Sequence, residues 1–162
     1  QYEDDSFESI RFTTLSKYSN LCTGKLSKKS HGAYMKTQMK KIHEVSINES
    51  VVILEDYLKE TGLRMSEIDY LIPHQTSKSS IIEGSKRYES ILMDKPGEIV
   101  INLKYSGNTA STTHFIAMYK YLMENRFKKG ERVMLLSFAS GLEIGIVVFK
   151  LNLIIDNYGI NN

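Results

Sequence analysis

Cysteine occurs once in these 162 residues, at Cys22, and proline twice. One thiol excludes an internal disulfide framework and suits a reducing compartment. No charge sign dominates: 21 Lys and Arg against 19 Asp and Glu leave a formal net charge of +2, too small to argue for nucleic acid or an anionic membrane. No apolar run approaches the length of a membrane span, no secretory leader is visible, and repeats and low-complexity tracts are lacking. The first residue is Gln1 rather than methionine, which is compatible with a piece of a longer protein. The remainder is ordinary for a globular chain, with 41% hydrophobic and 25% charged residues, and suffices for one domain with a real core.

The scarcity of proline makes its use informative. Pro73 stands in "LIPHQTSKSS", closing an apolar run directly before a histidine. Around it the chain alternates. "ESIRFTTLS" reads as a strand, and "SNLCTGKLSKKSHGAY" as a polar loop. A helix is expected over 39–61, with Ile42, Val45, Val52, Tyr57 and Leu58 near helical spacing and Gly62 as its stop. "EIDYLIP" is a strand. Ser77 or a neighbour caps a second helix, whose stripe is Ile81, Ile82, Tyr88 and Ile91. "EIVINL" is a third short strand. A helix is expected from Asn108 to Arg126, apolar on most sides between Phe115 and Met123. "RVMLLSF", a tight "ASGL" connection and "EIGIVVFKL" follow, and the tail is expected to prolong the last strand and then fray. The order β-α-β-α-β-α-β-β predicts an α/β fold, a mixed sheet with crossover helices ending in a hairpin. Residues 1–151 form the domain and 152–162 the tail.

In open α/β sheets, ligands gather at the carboxyl ends of strands. His74, Asn108 and the "FASGL" turn all fall there. Each has an ordinary explanation: a turn histidine, an N-cap, a hairpin glycine at Gly141. Three strand ends together favour a polar site.

"LIPHQTSKSSI", "YSGNTASTT" and "SFASGLEIGIVVFKL" resemble the β-ketoacyl-acyl-carrier-protein synthase III family, condensing enzymes of the thiolase fold. The resemblance runs from about Glu8 to Leu151 and covers only the later half of a family member. It implies the C-terminal half of a thiolase-like fold. His74 stands where the family has its catalytic histidine, Asn108 where it has its asparagine, and Ser140 where a backbone N–H faces an oxyanion. The family's reaction is a decarboxylative Claisen condensation of an acyl-cysteine with malonyl-carrier protein, in fatty-acid or polyketide initiation. The implied setting is cytoplasmic. The implied partners are acyl-CoA, acyl carrier protein, the missing N-terminal half and a second copy in a homo-oligomer, with no nucleic acid or membrane. No cofactor or metal is implied, since acyl-CoA and phosphopantetheine thioesters are substrates.

The departures also carry expectations. The family's nucleophilic cysteine belongs to the earlier half. Cys22, read as lying in a polar loop, is not expected to replace it. The turn reads Phe138-Ala139-Ser140-Gly141 instead of Phe-Gly-Gly-Gly, closer to the Ser-Gly turn of hydroxymethylglutaryl-CoA synthases. Ser79 occupies a frequent arginine position, which leaves Lys86 and Arg87, with Ser77, as the expected carrier-protein or CoA contacts. A related acyltransferase and a non-catalytic interaction subunit are the competing readings.

Overall fold

The computed structural model describes residues 7–27 and 32–158. Seven strands and five α-helices follow one another: β1 (Phe7–Thr14), β2 (Cys22–Leu26), β3 (Ala33–Thr37), α1 (Met39–Thr61), β4 (Tyr70–Pro73), α2 (Lys78–Leu92), β5 (Glu98–Ile99), α3 (Leu103–Ser106), α4 (Thr113–Met123), β6 (Arg132–Ala139), β7 (Glu143–Lys150) and α5 (Leu153–Tyr158). Five strands form one sheet in the order β1-β7-β6-β4-β5, and β2 and β3 form a separate hairpin. The sheet is mixed: β4 runs parallel to β5 and β6, whereas β7 runs antiparallel to β6 and β1.

Alternation along the central strands gives the sheet two apolar faces. Leu71, Met134 and Leu136 point one way, towards Val51, Leu54 and Tyr57 of α1 and Tyr88 of α2. Tyr70, Ile72, Val133 and Leu135 point the other way, towards Ala117 and Tyr121 of α4. Gly62 ends α1 in a left-handed conformation at φ 71°, which a residue without Cβ adopts at no steric cost. The Ser77 hydroxyl accepts the Ser80 N–H at 3.0 Å and caps α2, satisfying one of the donors a helix N-terminus leaves open.

Several sequence expectations are corrected. The supposed polar loop holds a 3-10 turn (Ser16–Leu21) and the β2–β3 hairpin, so Cys22 opens a strand; its residues 28–31 lie outside the described residues. Val52 of α1 and Ile82 and Ile91 of α2 are exposed; the face of α2 that packs inward is Ile81, Gly84 and Tyr88, spaced by three and four. The strand at "EIVINL" is two residues long. The helix expected from Asn108 begins at Thr113, after α3 and a 3-10 turn. The tail forms α5 instead of prolonging β7, and its residues 159–162 lie outside the described residues. No helix among the described residues is long and apolar enough to cross a membrane.

On α4, His114, Ala117 and Tyr121 are buried, while Phe115 (65%), Tyr119 (64%) and Met123 (40%) remain exposed. The exposed three recur every four residues and so form one stripe. Ile10 and Phe12 of β1 are also exposed. They pair with Val147 and Gly145, so they stand on the sheet face that α4 covers.

Candidate active site

Pro73 ends β4, and the next residue turns into a cavity. The His74 N–H donates to the Leu136 carbonyl at 2.8 Å, which keeps the turn in register with the end of β6. The half-buried ring borders a cavity of about 270 Å³ between α1, α2 and the ends of β4 and β6. Ile42 and Ser46 of α1, Ile81 of α2, and Phe138 and Ser140 complete its principal walls. A hydrogen bond joins the two helices beside it, between His43 Nε2 and Glu83 Oε2 at 3.1 Å.

Asn108 does not border this cavity but approaches the His74 ring. Its loop needs unusual backbone geometry. Gly107 sits at φ 63°, ψ −158°, a region open essentially to glycine alone, and Ala110 is left-handed at φ 51°. Such geometry persists where surrounding structure enforces it. The Asn108 Oδ1 accepts the Ala110 N–H at 2.9 Å, an Asx turn that orients the carboxamide. That carboxamide also lies near enough to the His74 ring to act on its titration. Burial pushes the His74 imidazole below its ordinary pKa, and Asn108 only partly opposes this. A ring so placed is neutral near pH 7.

Ser140 follows β6 in an exposed turn that borders the cavity with His74. Gly141, at φ 137°, supplies the backbone freedom the turn needs. Cys22 is closer to this turn than its position in the sequence suggested. Its thiol is held below the ordinary range first by a hydrogen bond with the Ser140 side chain and then by Thr37, against the effect of burial; Cys22 Sγ and Thr37 Oγ1 are 3.3 Å apart. Cys22 does not border the cavity. Ser77 spends its hydroxyl on the α2 cap and on the Ser79 and Ser80 hydroxyls. Lys86 and Arg87 are exposed on α2 and form no ion pair among the described residues.

Sequence reasoning missed the residues that hold the site together. Gln75 is 1% exposed. Its amide nitrogen donates to the carbonyls of Pro73 (2.8 Å) and Val100 (3.0 Å), and its amide oxygen accepts the Asn102 N–H at 2.7 Å. It therefore ties the His74 turn to the segment leading to Asn108. Thr113 Oγ1 accepts the Gln75 N–H at 3.3 Å. The available signal was a polar residue within each motif with no assigned task.

The sheet order and the meeting of strand ends define a class, the thiolase fold. The solved 3-oxoacyl-(acyl carrier protein) synthase III of Pseudomonas aeruginosa PAO1 superposes with a TM-score of 0.76 at 17% identity, covering 94% of this chain and 46% of that one. The Aquifex aeolicus VF5 enzyme gives 0.75 at 16% identity, covering 93% and 46%. The family described as 3-oxoacyl-[acyl-carrier-protein] synthase III C terminal matches residues 58–151, and the chain belongs to that family. The curated β-ketoacyl-[acyl-carrier-protein] synthase III of Coxiella burnetii (strain RSA 493) is 26% identical over 137 residues, 83% of this chain and 41% of that protein. The one from Brucella anthropi is 31% identical over 98 residues, 60% of this chain and 29% of its own length. The chain thus spans well under half the length of the curated relatives it matches.

Proposed function

We propose that this chain is the C-terminal part of a synthase III-type condensing enzyme and supplies the histidine and asparagine of a Cys-His-Asn site. The observation that carries the reading is the half-buried His74 ring bordering an apolar cavity, with the Asn108 side chain acting on it and burial holding its pKa below the ordinary value. In the proposed reaction, malonyl thioester loses carbon dioxide. The electron pair of the broken carbon–carbon bond passes to the thioester, where negative charge collects on oxygen. Neutral imidazole and carboxamide donors stabilise that oxygen without a countercharge that would stabilise the malonyl carboxylate. The enolate carbon then attacks an acyl-cysteine held by the rest of the protein. The Ser140 N–H receives the tetrahedral oxyanion, and collapse expels the cysteine thiolate and leaves a 3-ketoacyl thioester.

The substrates on this reading are acyl-CoA and malonyl-acyl-carrier protein, in a cytoplasmic setting. Lys86 and Arg87, exposed on α2, one of the helices that wall the cavity, and without an ion pair among the described residues, suit the acidic surface of a carrier protein. Ser77, at the start of the same helix, would contact the thioester arm. The exposed apolar stripe of α4 suits burial against the remaining part of the enzyme or a second copy.

The test separates the two half-reactions in the full-length protein. His74→Ala and Asn108→Ala should each slow malonyl decarboxylation by roughly 10²–10³-fold, the usual effect of losing one oxyanion donor, while acylation of the cysteine survives. Equal loss of both steps, or of neither, would refute the assignment.

A further inference from the structure

His114 is a buried titratable group for which the proposed reaction has no use. It lies in the first turn of α4 and is 6% exposed. Its Nε2 is 3.2 Å from the Leu136 carbonyl oxygen. A carbonyl only accepts, so Nε2 carries the proton and the neutral ring leaves Nδ1 bare. The same carbonyl accepts the His74 N–H at 2.8 Å. One oxygen, with two lone pairs, thus fastens the backbone of one histidine and the ring of the other. The two rings meet edge to face, with centroids 5.9 Å apart and planes at 77°. One residue earlier on α4, Thr113 fastens Gln75. The helix that follows the Asn108 loop is therefore pinned to the His74 turn at two consecutive side chains.

We propose that His114 is a positioning residue, holding the His74 ring in one orientation, and hence one tautomer, against Asn108 through the edge-to-face contact of the two rings, with the His74 backbone fastened to the same Leu136 carbonyl. The inference rests on the oxyanion-donor reading of His74 and adds a residue to it. The task draws on the Nε2 proton of His114. Burial lowers its pKa, and a proton on His74 would lower it further. The groups facing the pair are Asn108 from the loop before α4, the Leu136 carbonyl from β6, and His43 and Tyr88, which line the cavity from α1 and α2. Among the described residues no carboxylate acts on either ring, so no anion there holds a second proton.

The chain contains four histidines, few enough to resolve individually by ring ¹H–¹⁵N correlation on histidine-labelled protein. Spectra of this chain, recorded from about pH 8 to about pH 5 across the normal imidazole range, should show His114 as the Nε2–H tautomer, and should show it still neutral when His74 protonates. His114→Phe keeps a ring and removes the donor; the His74 midpoint should then rise towards the ordinary value of about 6.5 and its single tautomer should be lost. His114→Gln, whose amide can donate to Leu136, should restore the wild-type His74 signals. An Nδ1–H tautomer for His114, or identical His74 titration in wild type and His114→Phe, would overturn the proposal. Should the Phe variant fail to fold, the wild-type tautomer and the Gln variant decide alone. These spectra require no turnover, so they stand or fall separately from the decarboxylation assay of His74→Ala.

Discussion

Replacing Gln75 by leucine would test the framework under the site most directly. The side chain is nearly isosteric, so the change removes hydrogen bonding and little volume. It strands the Pro73 carbonyl, the Val100 carbonyl and the Asn102 N–H, all served by the one amide. A buried polar group left without a partner costs about 1–3 kcal/mol, and leucine burial returns about 1.5–3 kcal/mol. With three groups affected, a net loss of about 2–4 kcal/mol follows. That is a large share of the ~5–15 kcal/mol that usually holds a domain together. Equilibrium urea unfolding of this chain reads it directly: with a slope of about 2 kcal/mol per molar, the midpoint should fall by roughly 1–2 M. In the full-length protein the same variant should slow decarboxylation, because the His74 turn and the segment leading to Asn108 lose their common anchor. A midpoint within about 0.3 M of wild type would mean that these groups find other partners and that Gln75 is not the brace described.

Other predictions concern acid stability, association and Cys22. The His74 and His114 pKa values are both lowered on folding, so the stability they contribute is complete above the unfolded imidazole value of about 6.5 and is lost as pH falls through their folded values. Urea midpoints should fall below about pH 6.5, before the lowered carboxylates Glu8, Glu67 and Asp94 begin to protonate; His114→Gln should flatten that decline, and an unchanged slope would contradict it. Exposed Phe115, Tyr119 and Met123 should make the chain self-associate with concentration in light scattering. Phe115→Glu with Tyr119→Glu should leave it monomeric, and a wild-type monomer at high concentration would remove the argument. The isolated chain should form no ketoacyl product, and acyl-CoA should label Cys22 no faster than a free thiol by mass spectrometry; faster labelling would make Cys22 a nucleophile after all.

The parts legible in the sequence were those governed by local rules. The helix over 39–61 announced itself by period and by Gly62, and β6 and β7 by continuous apolar composition around a short turn. Ser77 was recognisable because capping is a local bargain between one hydroxyl and one N–H. The β2–β3 hairpin was not, since its residues are mostly exposed and carry no apolar alternation. The Asn108 helix was started too early because Gly107, Asn108 and Ala110 spend their conformational freedom on an Asx turn, not on a helical one. Ile82 and Ile91 were misassigned because apolar identity does not say which face a partner covers. The meeting of His74 with Asn108 could be expected from strand ends, but Gln75, Thr113 and His114 act through contacts between distant segments that no spacing encodes.

The position of β1 governs the order in which the chain can be assembled during synthesis. Among the described residues β1 pairs only with β7, and 129 positions separate Thr14 from its partner Glu143 (143 − 14). A contact so distant closes a loop at considerable entropic cost and slows folding. Translation at about 5–20 residues per second keeps β1 waiting on the order of ten seconds after it leaves the ribosome. Through that interval Ile10 and Phe12 stand on a strand whose β7 partner has not yet been made, the situation in which edges find the wrong partner. The helices can condense as they emerge, but the sheet is completed backwards, its first strand placed last.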